Sequence, residues 1–432
     1  MWGTHDSPMP KIPRRRWRIA FLLAIGVLVN YFDRVNLSVA HAALITTFAI
    51  SNITFGYLSA AYNWTYALCQ LPVGVVLDKF GVRRVGRISS FLWSVASFAA
   101  AITPNLGGFF AARLLLGIGE APTFPANAKA IGYWFPAKER SSATSIFDGS
   151  AKFASAIGVP LIGMLLLKVG WRWSFAATGM ISFLYFLLFC HVYRDPADDP
   201  ELTQGERDYI LERDAVTPDL PAETASFGYL IRQPKVIGIT LGFGAYNYVF
   251  YLLLTWLPSY LSQALHIDLL HSFLYTGVPW LFGTACELTV GGWLVDWLLE
   301  RGWNASNVQR AVLIGGTTMG LGIIGAAYAQ TATSALIWIS ISLGGLSAAA
   351  AVGWSVPSLI GPRGSVGTLA GIQNFSSQVS GILAPIVTGY LVTARHSFGW
   401  AFGVSAIYLC IGISAYIFML GRIERIPSQP RS

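Results

Sequence analysis

Seven ionisable side chains interrupt stretches that are otherwise apolar: Asp33 and Arg34, Arg113 and Glu120, Asp148 and Lys152, and Glu287. An ionisable group at bilayer depth costs at least about 2.5 kcal/mol on insertion scales, so each is a candidate for function. A carboxylate in apolar surroundings favours its neutral form and a nearby cation favours its charged form, so its proton affinity follows its neighbours as helices rearrange. That is the chemistry of proton coupling. Arg113 precedes Glu120 by two turns on the same helix face, where it is suited to hold Asp33 or Glu120 ionised; a purely structural ion pair is the competing reading. Arg34 offers a planar fork of donors matched to a carboxylate, or else serves as a structural partner of Glu120. Tyr31 and Tyr66 can present hydroxyls to the same cavity or simply pack as aromatic rings. Asp148 and Lys152, four residues apart, can meet on one helix face. With a rise of 1.5 Å per residue, Lys152 lies about 16 Å inside a helix that starts near Ser141, close to mid-membrane. It can serve as a second cation for a bound carboxylate, released from Asp148 on arrival, or as half of a permanently neutralised pair. Glu287 is either a third titrating site or a carboxylate facing a neighbouring helix or a wet rim.

The elements that must position these groups are membrane helices. The chain has 432 residues, 54% hydrophobic and only 12% charged, more apolar surface than a soluble core buries, so a bilayer is its solvent. Runs between polar breaks predict twelve spans, near 17–44, 54–78, 84–104, 107–135, 141–168, 172–194, 236–264, 270–299, 310–329, 333–360, 366–393 and 398–421. The net charge of +8 follows alternate loops rather than one face, which is the positive-inside pattern and not the footprint of a nucleic acid. Arg14, Arg15, Arg16, Lys79, Arg83, Arg84, Lys138, Arg140, Arg207, Arg301, Arg310, Arg422 and Arg425 fall on one side, against little beyond Lys168, Arg172 and Arg395 on the other. A cytoplasmic tail (1–16), a six-helix bundle (17–194), a cytoplasmic linker (195–235), a second bundle (236–421) and a cytoplasmic tail (422–432) are therefore expected. Met1 to Val29 has the basic start and apolar run of a signal peptide, but Asn30, Tyr31 and Asp33 follow without a small-x-small cleavage site, so it reads as a retained first helix. Within the linker, Pro196, Pro200, Pro218 and Pro221 break any long helix, and Leu202 to Asp214 is a candidate for a short amphipathic one. Cys69, Cys190, Cys286 and Cys410 lie in different spans without pairing or metal-ligand spacing, and read as packing residues.

Duplication is visible in the motifs. Gly74-x-x-x-Asp78 leads to Arg83 and Arg84, and Gly292-x-x-x-Asp296 leads to Arg301 and Arg310. Gly149, Gly158, Pro160 and Gly163 in the fifth span are echoed by Gly371, Gly381, Pro385 and Gly389 in the eleventh. Small residues permit close helix contact, and repeated halves around a midplane site are one arrangement of secondary transporters. Asp78 with Arg83 and Arg84 reads as a conformational latch across the basic-side helix ends, with Asp296 as its second-half counterpart. Simple positive-inside charge explains the arginines but not the recurring aspartate.

The run Gly74-Val75-Val76-Leu77-Asp78-Lys79-Phe80-Gly81-Val82-Arg83-Arg84 resembles the helix 2–3 signature of the major facilitator superfamily. Its second copy is degenerate, with Trp297 where a basic residue is usual. A narrower resemblance, carried by Asn30 to Ser38, Gly119 to Asn127 and Trp134 to Arg140, is to the anion:cation symporter family, which includes bacterial galactonate, glucarate and hexuronate permeases and is related to sialin and the vesicular glutamate transporters. The resemblance implies an all-α membrane protein of twelve helices in two pseudo-symmetric halves, sited in the inner membrane if bacterial. It implies alternating-access uptake of a small organic anion, such as a sugar acid or aldarate, with protons. It places coupling carboxylates at Asp33 and Glu120, a substrate-engaging cation at Arg34, and cavity-facing groups at Trp354 and Asn374, with Gln378 one turn further. Tyr246, Asn247, Tyr248 and Tyr251 form a polar aromatic cluster at a gate position, or pack as ordinary aromatics. The charged Asp148 and Lys152 depart from the neutral residues that these permeases tend to carry in the fifth helix; if Lys152 binds substrate, a dicarboxylate or a differently shaped acid is expected rather than galactonate by resemblance.

Other classes fare worse. No His-Glu-x-x-His, Gly-x-Ser-x-Gly or phosphate-cradling loop occurs, so neither an enzyme nor an ATP-driven pump is expected, and no cofactor or metal is called for. A proton-coupled exporter of lipophilic compounds on the same fold is the alternative. Such exporters usually have adjacent Gly-Pro in the fifth helix, whereas Val159 separates Gly158 from Pro160. A monomer is expected.

Overall fold

A computed structural model describes residues 14–211, 225–362 and 365–427, with the side chains of Leu71, Asp78, Ala137, Lys138, Arg140, Ser141, Ser142, Ser145 and Leu211 outside what is described. The expected tails before residue 14 and after 427, and the middle of the linker (212–224), also fall outside. The described chain is helical: α1 Arg15–Val39, a run Asn52–Ile102 that contains α2 (52–80) and α3 (82–102), α4 in two pieces, Leu106–Glu120 and Thr123–Trp134, α5 Ala137–Val169 and α6 Trp171–Val192. The second half holds α7 Pro234–Gln263, α8 Leu269–Cys286 continued as a π-helix Glu287–Leu294 and Val295–Glu300, α9 Ala305–Gly320 with Ile323–Ala327, α10 Ala332–Ile360, α11 Val366–Arg395 and α12 Gly399–Ser414 with a π-helical end Ala415–Leu420.

Twelve spans in two halves of six match the expectation, with local departures. Among the described residues, ten runs are long and apolar enough by themselves to cross a membrane. The other two are α2, preceded by a short helix His41–Phe48 bent 116° from it, and α4. Predicted as one helix, α4 breaks at Ala121–Pro122 because Pro122 has no N–H to donate. The α2–α3 link is not a loop but a sharp turn at Gly81, whose φ of 75° is open to glycine without a Cβ penalty. In the linker the amphipathic segment forms as Gln204–Leu211. Polar caps start several spans: Ser51 accepts from Thr54 N–H, Asn105 from Gly108 N–H, and Thr331 from Ser334 N–H.

Two seams join the halves, α2 with α11 and α5 with α8, and α1 meets α7 between them. Exchanging equivalent helices of the two halves maps one seam onto the other, the internal symmetry that the motifs suggested. Small residues set the approach. A Cβ at Gly56 would fall 2.6 Å from the Pro385 carbonyl oxygen, and one at Gly277 2.5 Å from that of Ala156. Asn63 donates to the Gly381 carbonyl at 2.9 Å, Ser38 to that of Thr255 at 2.8 Å, and the Tyr57 and Tyr390 hydroxyls are 3.2 Å apart. All these contacts lie between mid-depth and the face opposite the α1 start, the far face. Along the same stripe toward the face where α1 begins, the terminal face, positions Gly74, Gly367 and Gly371 have open space around them. Among the described residues the halves thus close at the far face and part toward the terminal face.

Candidate functional site

Neighbours on a helix point about 100° apart, and α1 uses this to aim Asp33 and Arg34 at different helices. Asp33 is 1% exposed and turns toward α3 and α6, where Ser97 donates to Oδ1 at 2.7 Å and Ser182 to Oδ2 at 2.8 Å. The α6 stripe Ser174, Thr178, Ser182 repeats every four residues. Its first two members bond Asn36, one turn beyond Asp33. That spacing is visible in the sequence, but serine and threonine are too common in membrane helices for it to mark a carboxylate seat.

Arg34 turns toward α2 and α4. Its Nε donates to Glu120 Oε2 at 3.1 Å, and its guanidinium lies 4.5 Å from the ring centre of Tyr31, 4.7 Å from that of Tyr62 and 5.4 Å from that of Tyr66. Three aromatic faces hold the cation where water cannot. The four-residue spacing of Tyr62 and Tyr66 puts both rings on one face of α2; Tyr62 was missed because tyrosine in an apolar run is indistinguishable from packing. Arg34 Nη2, Glu120 Oε1, and Arg113 Nε and Nη1 are buried without hydrogen-bond partners among the described residues. Unused donors around one carboxylate oxygen leave capacity for an anion, since a buried polar group that stays unpaired is costly.

Arg113 acts on Asp33 and Glu120 through space rather than by a direct bond. It is 4% exposed, makes no ion pair among the described residues, and stands 5.5 Å from the Tyr62 ring centre. Arg34 reaches Glu120 first because α1 crosses α4 at that level, which a distance along one helix cannot reveal. Arg34 and Arg113 line a cavity of about 30 Å³ with Ser38, Ser59, Tyr62, Asn63, Tyr251, Leu254 and Thr255. The space fits about one water, so the far-face end of the site is closed.

A correction concerns α5. Lys152 does not pair with Asp148; its Nζ lies 2.7 Å from Glu287 Oε2 in α8, with side chains only 4% and 7% exposed. Asp148, half-buried, acts electrostatically on both. Tyr246 of α7 faces the same group. Gln378 is buried beside Tyr251, Asn374 is half-buried on the same helix, and Trp354 of α10 is 41% exposed with its edge against Phe243. Trp354 and Asn374 therefore lie on the open side, away from the closed cavity, while Gln378 lies nearer it.

At the terminal face, Arg83 reaches Asp198 of the linker at 3.8 Å, and Arg84 and Asp296 are exposed. Arg301 covers the Trp297 ring at 3.7 Å from its centre, so the second loop stacks a cation on an aromatic ring where the motif usually has a basic residue. The Asp78 side chain lies outside the described residues. A separate ion network, unread in the sequence, fixes the start of α1: Arg15 binds Asp199 at 2.9 Å, and Arg16 binds Glu139 at 2.8 Å and Glu206 at 3.0 Å.

Two six-helix halves flanking a buried set of paired and unpaired charges define a polytopic membrane carrier. The Major Facilitator Superfamily model matches residues 23–385. The chain is 38% identical to the uncharacterized transporter YybO of Bacillus subtilis (95% of each chain) and 31% identical to the probable galactarate/D-glucarate transporter GarP of Escherichia coli K12 (96% of each). The crystal structure of a bacterial homolog of the human lysosomal transporter Spinster, inward-facing and unoccupied, superposes with a TM-score of 0.74 at 17% identity, over 94% of this chain and 97% of that one. The chain belongs to the major facilitator superfamily, and it is a solute transporter, not an enzyme.

Proposed function

We propose that the protein takes up a sugar acid, aldarate or related carboxylate together with protons by alternating access. The observation that carries this reading is the aromatic-caged Arg34–Glu120 pair, set against the donors of Arg113 at the inner end of the cleft. When Glu120 takes a proton, Arg34 loses its counter-charge and its fork becomes available to a carboxylate, so proton and anion bind together. Asp33, one residue away, exchanges the companion proton, with Arg113 tuning both carboxylates. Tyr31, Tyr66, Gln378, Asn374 and Trp354 supply hydroxyl, amide and indole contacts to a polyhydroxylated solute, and Lys152 and Asp148 line the cleft from α5. Relatives described as galactarate/D-glucarate transporters support this class of cargo.

The positive-inside charge supports placing the terminal face, both tails and the 195–235 linker in the cytoplasm of a bacterial inner membrane. The conformation is then inward-open. Asp78, Arg83 and Arg84, with Asp296 opposite, latch the cytoplasmic helix ends in the other state, and the carrier works as a monomer. The test is uptake of labelled D-glucarate, galactarate and D-galactonate by proteoliposomes. Accumulation driven by an inward proton gradient and collapsed by a protonophore is expected. Absence of gradient-driven accumulation for every sugar acid, with proton-driven export of lipophilic dyes instead, overturns it.

A further inference from the structure

Glu287 is the first residue of the π-helical part of α8, the wide-turn geometry that recurs at functional sites. Its carboxylate bridges to Lys152 of the other half at 2.7 Å, deep in the fold. On the far-face side of this bridge α5 and α8 pack tightly: a Cβ at Gly163 would overlap the Phe273 ring, and Gly277 abuts Ala156. On the terminal side the approach is looser, with Leu288 at an ordinary contact distance of 3.9 Å from where a Gly149 Cβ would sit. The pair therefore stands where the tightest part of the seam gives way. Opening the far face must pull Lys152 away from Glu287, because they belong to halves that move against each other.

Two separated charges at this depth would each be desolvated and unpaired, an arrangement that proteins avoid. Each has an exit. Lys152 carries Asp148 one turn behind on its own helix, at a spacing where the two can bond, and that pairing moves rigidly with the N-terminal half. Glu287 has no such companion. The groups facing it are Lys152 and Asp148 from α5 and Tyr246 from α7; Cys286 precedes it on its own helix, and α10, packed against the π-helix, has no ionisable residue. We propose that Glu287 is a third proton-exchanging carboxylate, which surrenders Lys152 to Asp148 and takes up one proton from the cleft each time the far face opens. The charges balance: with the far face closed, Lys152 neutralises Glu287 while Asp148, half-buried beside the open cleft, keeps its charge in contact with water, and with the far face open Lys152 neutralises Asp148 while one proton from the cleft neutralises Glu287. The inference rests on the alternating-access reading but not on Asp33 and Glu120 as coupling groups, nor on the identity of the cargo.

The experiment measures far-face opening without a substrate. Spin labels replace Thr46 and Gln330, exposed at the far ends of opposite halves, with the four native cysteines changed to serine, and distance distributions are recorded in nanodiscs from pH 5 to pH 8. In an Asp33→Asn, Glu120→Gln background, acid should still increase the long-distance population, and adding Glu287→Gln should abolish that remaining pH dependence. Glu287→Gln alone should raise the open population about tenfold or more at pH 8, while Asp148→Asn should lower it at pH 5. A Glu287→Gln protein with the parent distribution and parent pH dependence overturns the proposal, as does a triple variant that still responds to pH. If substrate uptake fails in the wild type while these distance shifts appear, the cargo assignment falls and Glu287 stands.

Discussion

Arg34 Nε and Glu120 Oε2 lie 3.1 Å apart with side chains 6% and 0% exposed, so the cation best shaped to grip an anionic cargo is already occupied by the protein's own carboxylate. A cargo that used Arg34, as proposed, would have to compete with Glu120 or wait for it to be neutralised. Such competition would tie binding to protonation without any long-range pathway.

Arg34→Ala removes both the fork and the aromatic-caged charge. Thermal stabilisation by sugar acids should disappear, and Arg34→Lys should recover little of it, because an ammonium cannot reproduce the bidentate geometry. A thermal-shift titration with D-glucarate checks this; an unchanged shift removes Arg34 from the site.

Glu120→Gln and Asp33→Asn fix neutral side chains where protons should come and go. Gradient-driven accumulation should fall at least about a hundredfold, roughly 2.7 kcal/mol, while exchange of labelled for unlabelled cargo persists. The comparison is made in the same proteoliposomes. Loss of both modes would point to folding or binding, not coupling.

Gly277 abuts the Ala156 backbone in the far-face seam. Gly277→Val should wedge α8 from α5 and hold the far face open. Labelling of a cysteine placed at Ser38, which now bonds Thr255 across the halves, should become several-fold faster than in the parent protein.

Glu206 accepts from the α1 backbone at Arg15 and Arg16 and from the Arg16 guanidinium. Glu206→Ala strips a fully buried carboxylate from one guanidinium and two backbone N–H groups, a loss of about 3–5 kcal/mol. A lower melting temperature with the fold retained by circular dichroism is the expected outcome.

Asp195, beyond the end of α6, is held above the ordinary carboxylate range by burial, against the hydrogen bond to Tyr193 and with Asp198 adding to the shift. A carboxyl raised in the folded state costs stability once the pH passes its unfolded value of about 3.9. Asp195→Asn should therefore raise the melting temperature at pH 7 and leave it unchanged at pH 3. A gain at both values would mean that the effect is not electrostatic.

The buried ionisable residues could be picked out from sequence because an apolar background makes a charge conspicuous, whereas their partners could not. Lys152 and Asp148 looked like a pair at helical spacing, yet Glu287 takes the lysine, since α5 and α8 are brought together by glycines far from either charge. Ser97 and Ser182 were invisible as ligands of Asp33 because serine is common in membrane helices. Tyr62 was hidden in the same way among the many aromatic residues.

Hydropathy and the repeated loops by themselves determined the bilayer environment, the twelve spans and the duplication, because each depends on local composition and on motifs that survive as short strings. Which charge meets which, that the far face is shut and the terminal face parted, and that a π-turn begins at Glu287 were decided only by tertiary structure. Such pairings are set by how helices distant in the chain cross one another, and a crossing leaves no periodic trace in either helix alone.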